Sequence, residues 1–192
     1  MTAYDWAEIE KKARAAGVDL FMKKPVFASS VTRAFENVLL RKRTDAVPEP
    51  EPDFHFAGRR VLLAEDNEIN AEIARNLLEM KGCAVETAAN GAEAVESFAA
   101  APAGSFDAIL MDVRMPVMDG LDAARAIRAM RKADAKTVPI LAMTANAFQE
   151  DVNASLEAGM NAHLTKPIEP PTLYATLQRC FDKADREKRR DT

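Results

Sequence analysis

Four apolar stretches of this 192-residue chain close on side chains that could do chemistry. Val61 to Ala64 leads into Glu65, Asp66 and Asn67, and Asp112, Thr144 and Lys166 close three later runs. In a protein built from β-α repeats, residues just past the carboxyl ends of parallel strands converge on one rim of the sheet, where ligands bind. Three carboxylates, a hydroxyl and a lysine on one rim suit a hard divalent cation together with a phosphoryl group. Oxygen donors hold the cation, and the ammonium offsets phosphate charge.

The elements that must bring these residues together follow from alternating patterns. Short apolar runs predict strands at Val61 to Glu65, Ala84 to Ala88, Phe106 to Met111, Val138 to Met143 and Ala162 to Thr165. Between them, apolar residues recur at helical spacing: Ile69, Ile73 and Leu77; Leu121, Ala124 and Ile127; Phe148, Val152 and Leu156. A weaker helix covers Gly91 to Ala100, and a last one, Pro171 to Asp182, shows Leu173, Leu177 and Phe181 on one face. Gly82 and Gly159 stand where helices end on a left-handed residue. Five such units over residues 58–184 make an α/β, doubly wound domain with helices on both faces of a parallel sheet.

Composition narrows the functional classes. An apolar content of 48% is enough for a globular core, and a net charge of -4 gives no reason to expect nucleic acid or an anionic membrane surface. The charged tail, residues 185–192, mixes both signs and reads as a solvated helix end. No apolar stretch approaches the ~20 residues of a membrane-spanning helix. The polar opening MTAYDWAEIE lacks the apolar centre of a secretory signal, so a cytoplasmic setting is expected. Cys83 and Cys180 lack metal or redox spacing and read as small apolar side chains in a reducing compartment.

Residues 44–57 read as a linker, because Pro48, Pro50 and Pro52 alternate with acids and favour extended chain. Residues 1–43 gain meaning by self-comparison. Laid without gaps on the end of the domain, Met1, Thr2 and Ala3 fall on Met143, Thr144 and Ala145; Ala16 and Gly17 fall on Ala158 and Gly159; Lys24 and Pro25 fall on Lys166 and Pro167. This piece is therefore expected to be a partial α-β-α copy of the domain's last third. It has no acidic pair and no counterpart of Asp112, so the chemistry is expected in residues 58–184 alone. Its strand, about Val18 to Met22, needs cover from the intact domain or from the same piece of a second molecule.

In this order and spacing, VLLAEDNEIN, ILMDVRMPVMDG, ILAMTANAF and HLTKP resemble the response-regulator receiver domain, in the form fused to hybrid sensor histidine kinases. The resemblance covers about Gly58 to Ala184, and it implies a flavodoxin-like five-stranded sheet in the order 2-1-3-4-5. It also implies a phosphoacceptor role in a two-component phosphorelay. Asp112 matches the phosphoacceptor, and a carboxylate suits that role because its acyl phosphate is labile enough to time a signal. Glu65 and Asp66 match the acidic pair that, with Asp112 and the Arg114 backbone carbonyl, binds Mg²⁺ or Mn²⁺. Asp66 or Asn67 could equally be the N-cap of the first helix.

Thr144 and Lys166 match the hydroxyl and ammonium that contact the phosphoryl oxygens, and the Lys166-Pro167 bond is implied to be cis. Arg114 and Asn146, two residues past Asp112 and Thr144, are implied to flank the water that hydrolyses the acyl phosphate and so to tune its lifetime. His163 departs from the pattern, which places Tyr or Phe there. Either the histidine ring serves as the rotating switch, or that coupling is weak in this chain. No residues at metal-ligand or kinase-type spacing accompany it as a ligand or phosphodonor.

Three functional classes compete. The first is a receiver that takes phosphate from the phosphohistidine of a histidine kinase or phosphotransfer domain and changes its surface around the fourth and fifth strands. A homodimer through that face or through the N-terminal segment is an alternative partner. Such a domain modifies itself and is no turnover enzyme on an external substrate; with no kinase core here, the parent is expected to be a hybrid histidine kinase. The second, an aspartate-nucleophile phosphatase, would carry another acid two residues past the nucleophile, where Arg114 stands. The third, a pure interaction module, would take no phosphate on Asp112.

Overall fold

The computed structural model describes residues 53–145 and 149–190, which belong to one unit of the chain, Asp53–Thr192. The expectations for residues 1–43, for most of the linker, and for Asn146 and Phe148 lie outside the described residues. The elements are β1 (Arg60–Ala64), α1 (Glu68–Glu79), β2 (Ala84–Ala88), α2 (Gly91–Ala100), β3 (Ala108–Asp112), α3 (Gly120–Ala129), β4 (Ile140–Thr144), α4 (Gln149–Glu157), β5 (Ala162–Thr165) and α5 (Pro170–Arg190). The five strands form one parallel sheet in the order β2-β1-β3-β4-β5.

Residue type decides which strands are central. RVLLA, AILMD and ILAMT bury every residue but Arg60, whereas AVETA and AHLT stay partly exposed and form the two edges. A parallel strand covered by helices on both faces must be apolar almost throughout, while an edge strand need not be. Successive side chains then feed two cores. On one face Leu62, Ile109, Met111 and Ile140 meet Phe98 of α2 and Ile127 of α3. On the other, Val61, Leu63, Leu110 and Leu141 meet Leu78 of α1 and Leu173, Leu177 and Phe181 of α5.

Four expectations change. On α1 the buried positions are Ala74 and Leu78, while Ile69 and Ile73 are 70% and 52% exposed. Both stripes have helical spacing, and small Ala74 allows the closer approach to the sheet. On α4, Leu156 is exposed and the chain instead buries Ser155 and, just past the helix, Ala158; the Ser155 hydroxyl is satisfied by the Asp151 carbonyl at 2.9 Å. Phe56, inside the expected linker, is buried against Phe181 and Tyr174 because an aromatic ring needs cover. Finally, α5 runs past Asp182 into the charged tail to Arg190, and Asp185 pairs with Arg59 at 2.6 Å. Gly82 and Gly159 do end helices with φ of 89° and 87°. Cys83 is buried, Cys180 is half-buried, and both are free.

Candidate functional site

β1 delivers Glu65 and Asp66 to the carboxyl rim. Glu65 is 4% exposed, and its Oε1 accepts from Asn70 Nδ2 at 3.0 Å, so a residue on the first turn of α1 orients it. Asn67, rather than Asp66, caps α1: its Oδ1 accepts from the amides of Ile69 and Asn70, both at 3.1 Å. The Asp66 carboxylate is therefore left exposed at the mouth of the cleft.

β3 ends on Asp112, which is 6% exposed, and its Oδ1 accepts from the Arg114 amide at 3.2 Å. The Arg114 side chain is exposed in the loop beyond. That loop must return close to the strand. The Gly120 amide donates to the Val113 carbonyl at 3.0 Å, and a Cβ on Gly120 would sit 2.0 Å from the Asp112 carbonyl oxygen. Only glycine permits this approach. At the loop's tip the Met118 amide bonds the Pro116 carbonyl at 2.8 Å around Val117, whose φ is 69°. For a β-branched residue that conformation is strained.

β4 ends on Thr144, 8% exposed, and its carbonyl accepts from the Lys166 amide at 2.8 Å, which ties the residue after β5 to the rim. The Lys166-Pro167 bond is cis. The Lys166 ammonium reaches inward to Asp112 Oδ2 at 2.5 Å and Glu65 Oε2 at 2.6 Å. Burial works to lower this ammonium, but hydrogen bonds and charge from Asp112 and Glu65 overcome it, and the proton is held above its ordinary pKa. Ligand oxygens of Glu65, Asp66 and Asp112 all lie within 4.8 Å of one another. Three carboxylates against one ammonium leave the rim short of positive charge, and hard oxygen donors at this spacing fit a magnesium-type ion.

Glu65, Asp66, Asp112, Thr144 and Lys166 are thus brought to one rim. His163 stands apart from this contact set: it is exposed on the edge strand, beside Ala142 in register. Sequence reasoning missed Asn70 and Gly120. The available signals were a second asparagine three residues after the cap and an Asp-Gly step opening an apolar stripe.

Comparison with known proteins agrees with this geometry. Residues 61–178 match the response regulator receiver domain family. Hybrid signal transduction histidine kinase I of Dictyostelium discoideum is 35% identical over 133 residues, and the aerobic respiration control sensor protein ArcB of Escherichia coli is 36% identical over 138. The matches cover 68% and 72% of this chain but only 8% and 17% of those proteins. Among solved structures, the receiver domain of sensor histidine kinase PA1611 from Pseudomonas aeruginosa is 43% identical, with a TM-score of 0.59. The match covers 66% of this chain and 99% of that domain, whose structure has a magnesium ion coordinated in its active site cleft.

Proposed function

The chain belongs to the response regulator receiver domain family, and from that premise we propose that Asp112 accepts a phosphoryl group from a phosphohistidine, in a relay whose parent protein is a hybrid histidine kinase. The observation that carries the proposal is the Lys166 ammonium bridging Asp112 and Glu65 beside exposed Asp66. An Asp112 oxygen forms the new bond to phosphorus, and the P–N bond of the phosphohistidine breaks with its electron pair going to the imidazole nitrogen. Glu65, Asp66, Asp112 and the Arg114 carbonyl would hold Mg²⁺ or Mn²⁺, which supplies positive charge to the transferring phosphoryl oxygens.

Lys166 moves from bridging carboxylates to facing the phosphoryl group, offsetting charge that grows in the transition state. Thr144, at the end of β4, contacts the product and biases the surface around β4 and β5. His163 on β5 is the candidate ring for that switch. The donor is a histidine kinase or phosphotransfer domain. Exposed Ile69 and Ile73 on α1, the helix that follows Asp66, offer apolar contacts to a protein partner. We place the domain in the cytoplasm with its donor, and a homodimer as an alternative partner.

The test is acid-labile phosphate, followed by intact mass, after incubation with acetyl phosphate and Mg²⁺. Wild type is expected to gain one phosphoryl group and Asp112→Asn none. Phosphate on the variant, or none on wild type, sinks the reading and leaves a pure interaction module. Arg114 and Asn146 are assigned to control of the hydrolytic water. Alanine at each should change the dephosphorylation rate by about 2–10-fold, and identical decay curves for both variants and wild type would remove that role.

A further inference from the structure

The end of the sheet opposite Asp112 carries a groove whose chemistry reverses that of the acidic rim. It encloses about 410 Å³ between α5 and the segments entering β4 and β5. Ligand pockets commonly run from about 300 to 1,000 Å³. Its helical wall is the stripe Thr176, Arg179, Cys180 and Lys183, whose spacing puts these residues on one face, while Leu173, Leu177 and Phe181 are buried in the core. Across from them stand Lys136, ahead of β4, and Asn161, ahead of β5.

The charge there is all positive, while the two threonine hydroxyls are engaged within the chain, Thr137 donating to the Asp134 carbonyl at 3.4 Å and Thr176 accepting from Arg179. Three cations line the groove and no carboxylate does; among the described residues none of the three is ion-paired. Of the nearby acids of α5, Asp185 pairs with Arg59 at 2.6 Å, and one oxygen of exposed Asp182 accepts from the neutral Gln178 amide at 2.8 Å. The Arg179 guanidinium donates to the Thr176 hydroxyl, 4% exposed, at 3.1 Å, which anchors a group with five donors on one neutral partner. Asn161 already uses its side-chain oxygen on the Ile140 amide and on Arg128, both at 2.8 Å, so what it offers a ligand is its amide N–H. Pro139 and Ala162 supply an apolar wall.

We propose that this groove binds a small organic phosphate monoester, its dianionic phosphate held by Arg179, Lys136 and Lys183 and its compact body against Pro139 and Ala162. A planar guanidinium forks onto phosphate oxygens, and the two ammoniums complete the charge. The site is remote from the phosphoacceptor rim and stands or falls independently of it.

The test is an amide and side-chain NMR titration of the full chain without Mg²⁺, using AMP and glycerol 3-phosphate as probes. Inorganic phosphate and sodium chloride at matched ionic strength are the controls. Saturable shifts at Thr137, Asn161, Thr176 and Cys180 with either monoester, at least about tenfold tighter than inorganic phosphate, are expected. Arg179→Gln with Lys183→Gln should weaken them by at least about tenfold. Should that variant unfold, wild type still decides: the bound monoester should slow alkylation of Cys180, located by peptide mass. Linear shifts equal to those of chloride, equal affinity for inorganic phosphate, or unchanged Cys180 labelling at saturating probe would overturn the proposal.

Discussion

The two ends of one sheet use charge in opposite ways. Where β4 and β5 begin, Arg128 donates to the carbonyls of Gly159, Ala135 and Val138 and to the Asn161 side chain, all at 2.8 to 2.9 Å. Where β1 and β3 end, one ammonium serves two carboxylates while a third stays exposed. The first cluster is largely spent within the chain: four of the five guanidinium N–H groups meet acceptors that the fold itself must satisfy. The second has acceptors in excess, so a cation or a phosphoryl group completes it. Charged clusters of similar size thus serve architecture in one place and chemistry in the other, and counting open donors and acceptors separates them.

Substitutions at the two ends can break this contrast. The largest effect is expected from Lys166→Ala, which removes the only ammonium among the described residues in contact with Asp112. Phosphorylation from acetyl phosphate should slow by about 100-fold or more, read as initial rate of acid-labile phosphate. The same ion pairs bear on stability. Because the Lys166 proton is held above its ordinary value of 10.5, their contribution is whole below that pH and lost as pH rises through the higher folded value. Denaturant midpoints should therefore fall more steeply between neutral and strongly alkaline pH in wild type than in Lys166→Met.

Arg128→Ala at the opposite end should cost about 2–4 kcal/mol in chemical denaturation, since it strips partners from buried carbonyls. It should leave the phosphorylation rate per folded molecule unchanged. A slowed rate in a fully folded Arg128 variant would erase the distinction between the two ends. The smallest effect falls beside the rim: Val117→Gly should raise stability by about 1 kcal/mol by relieving the positive φ, net of glycine's added freedom when unfolded. No gain would mean that the loop relaxes around valine.

Much of the site could be read before any fold was known. Glu65, Asp66, Asp112 and Thr144 each follow an apolar run, and a local pattern of that kind survives translation into a strand end. The faces of the short helices could not be read as well. On α1 two overlapping stripes share one period, and only contact with β1 and β2 selects Ala74 and Leu78 over Ile69 and Ile73. On α4 a serine bonded to its own helix takes an inward place that hydrophobicity alone would deny it. The last helix presented one unbroken stripe, and Leu173, Leu177 and Phe181 are all buried as expected.

By itself the sequence determined the residue chemistry of the rim and the alternation of elements, because strand, helix and cap signals act over a few neighbouring residues. Tertiary structure alone decided how that chemistry is wired. Lys166 lies 54 residues from Asp112, yet its ammonium meets one oxygen of that carboxylate and one of Glu65. Asn70 orients Glu65, and Gly120 lets the backbone pass within reach of Asp112. The basic groove likewise exists only once α5 lies against the entries to β4 and β5. These are distances between segments remote in the chain, set by how two cores pack on a shared sheet, and no local pattern encodes them.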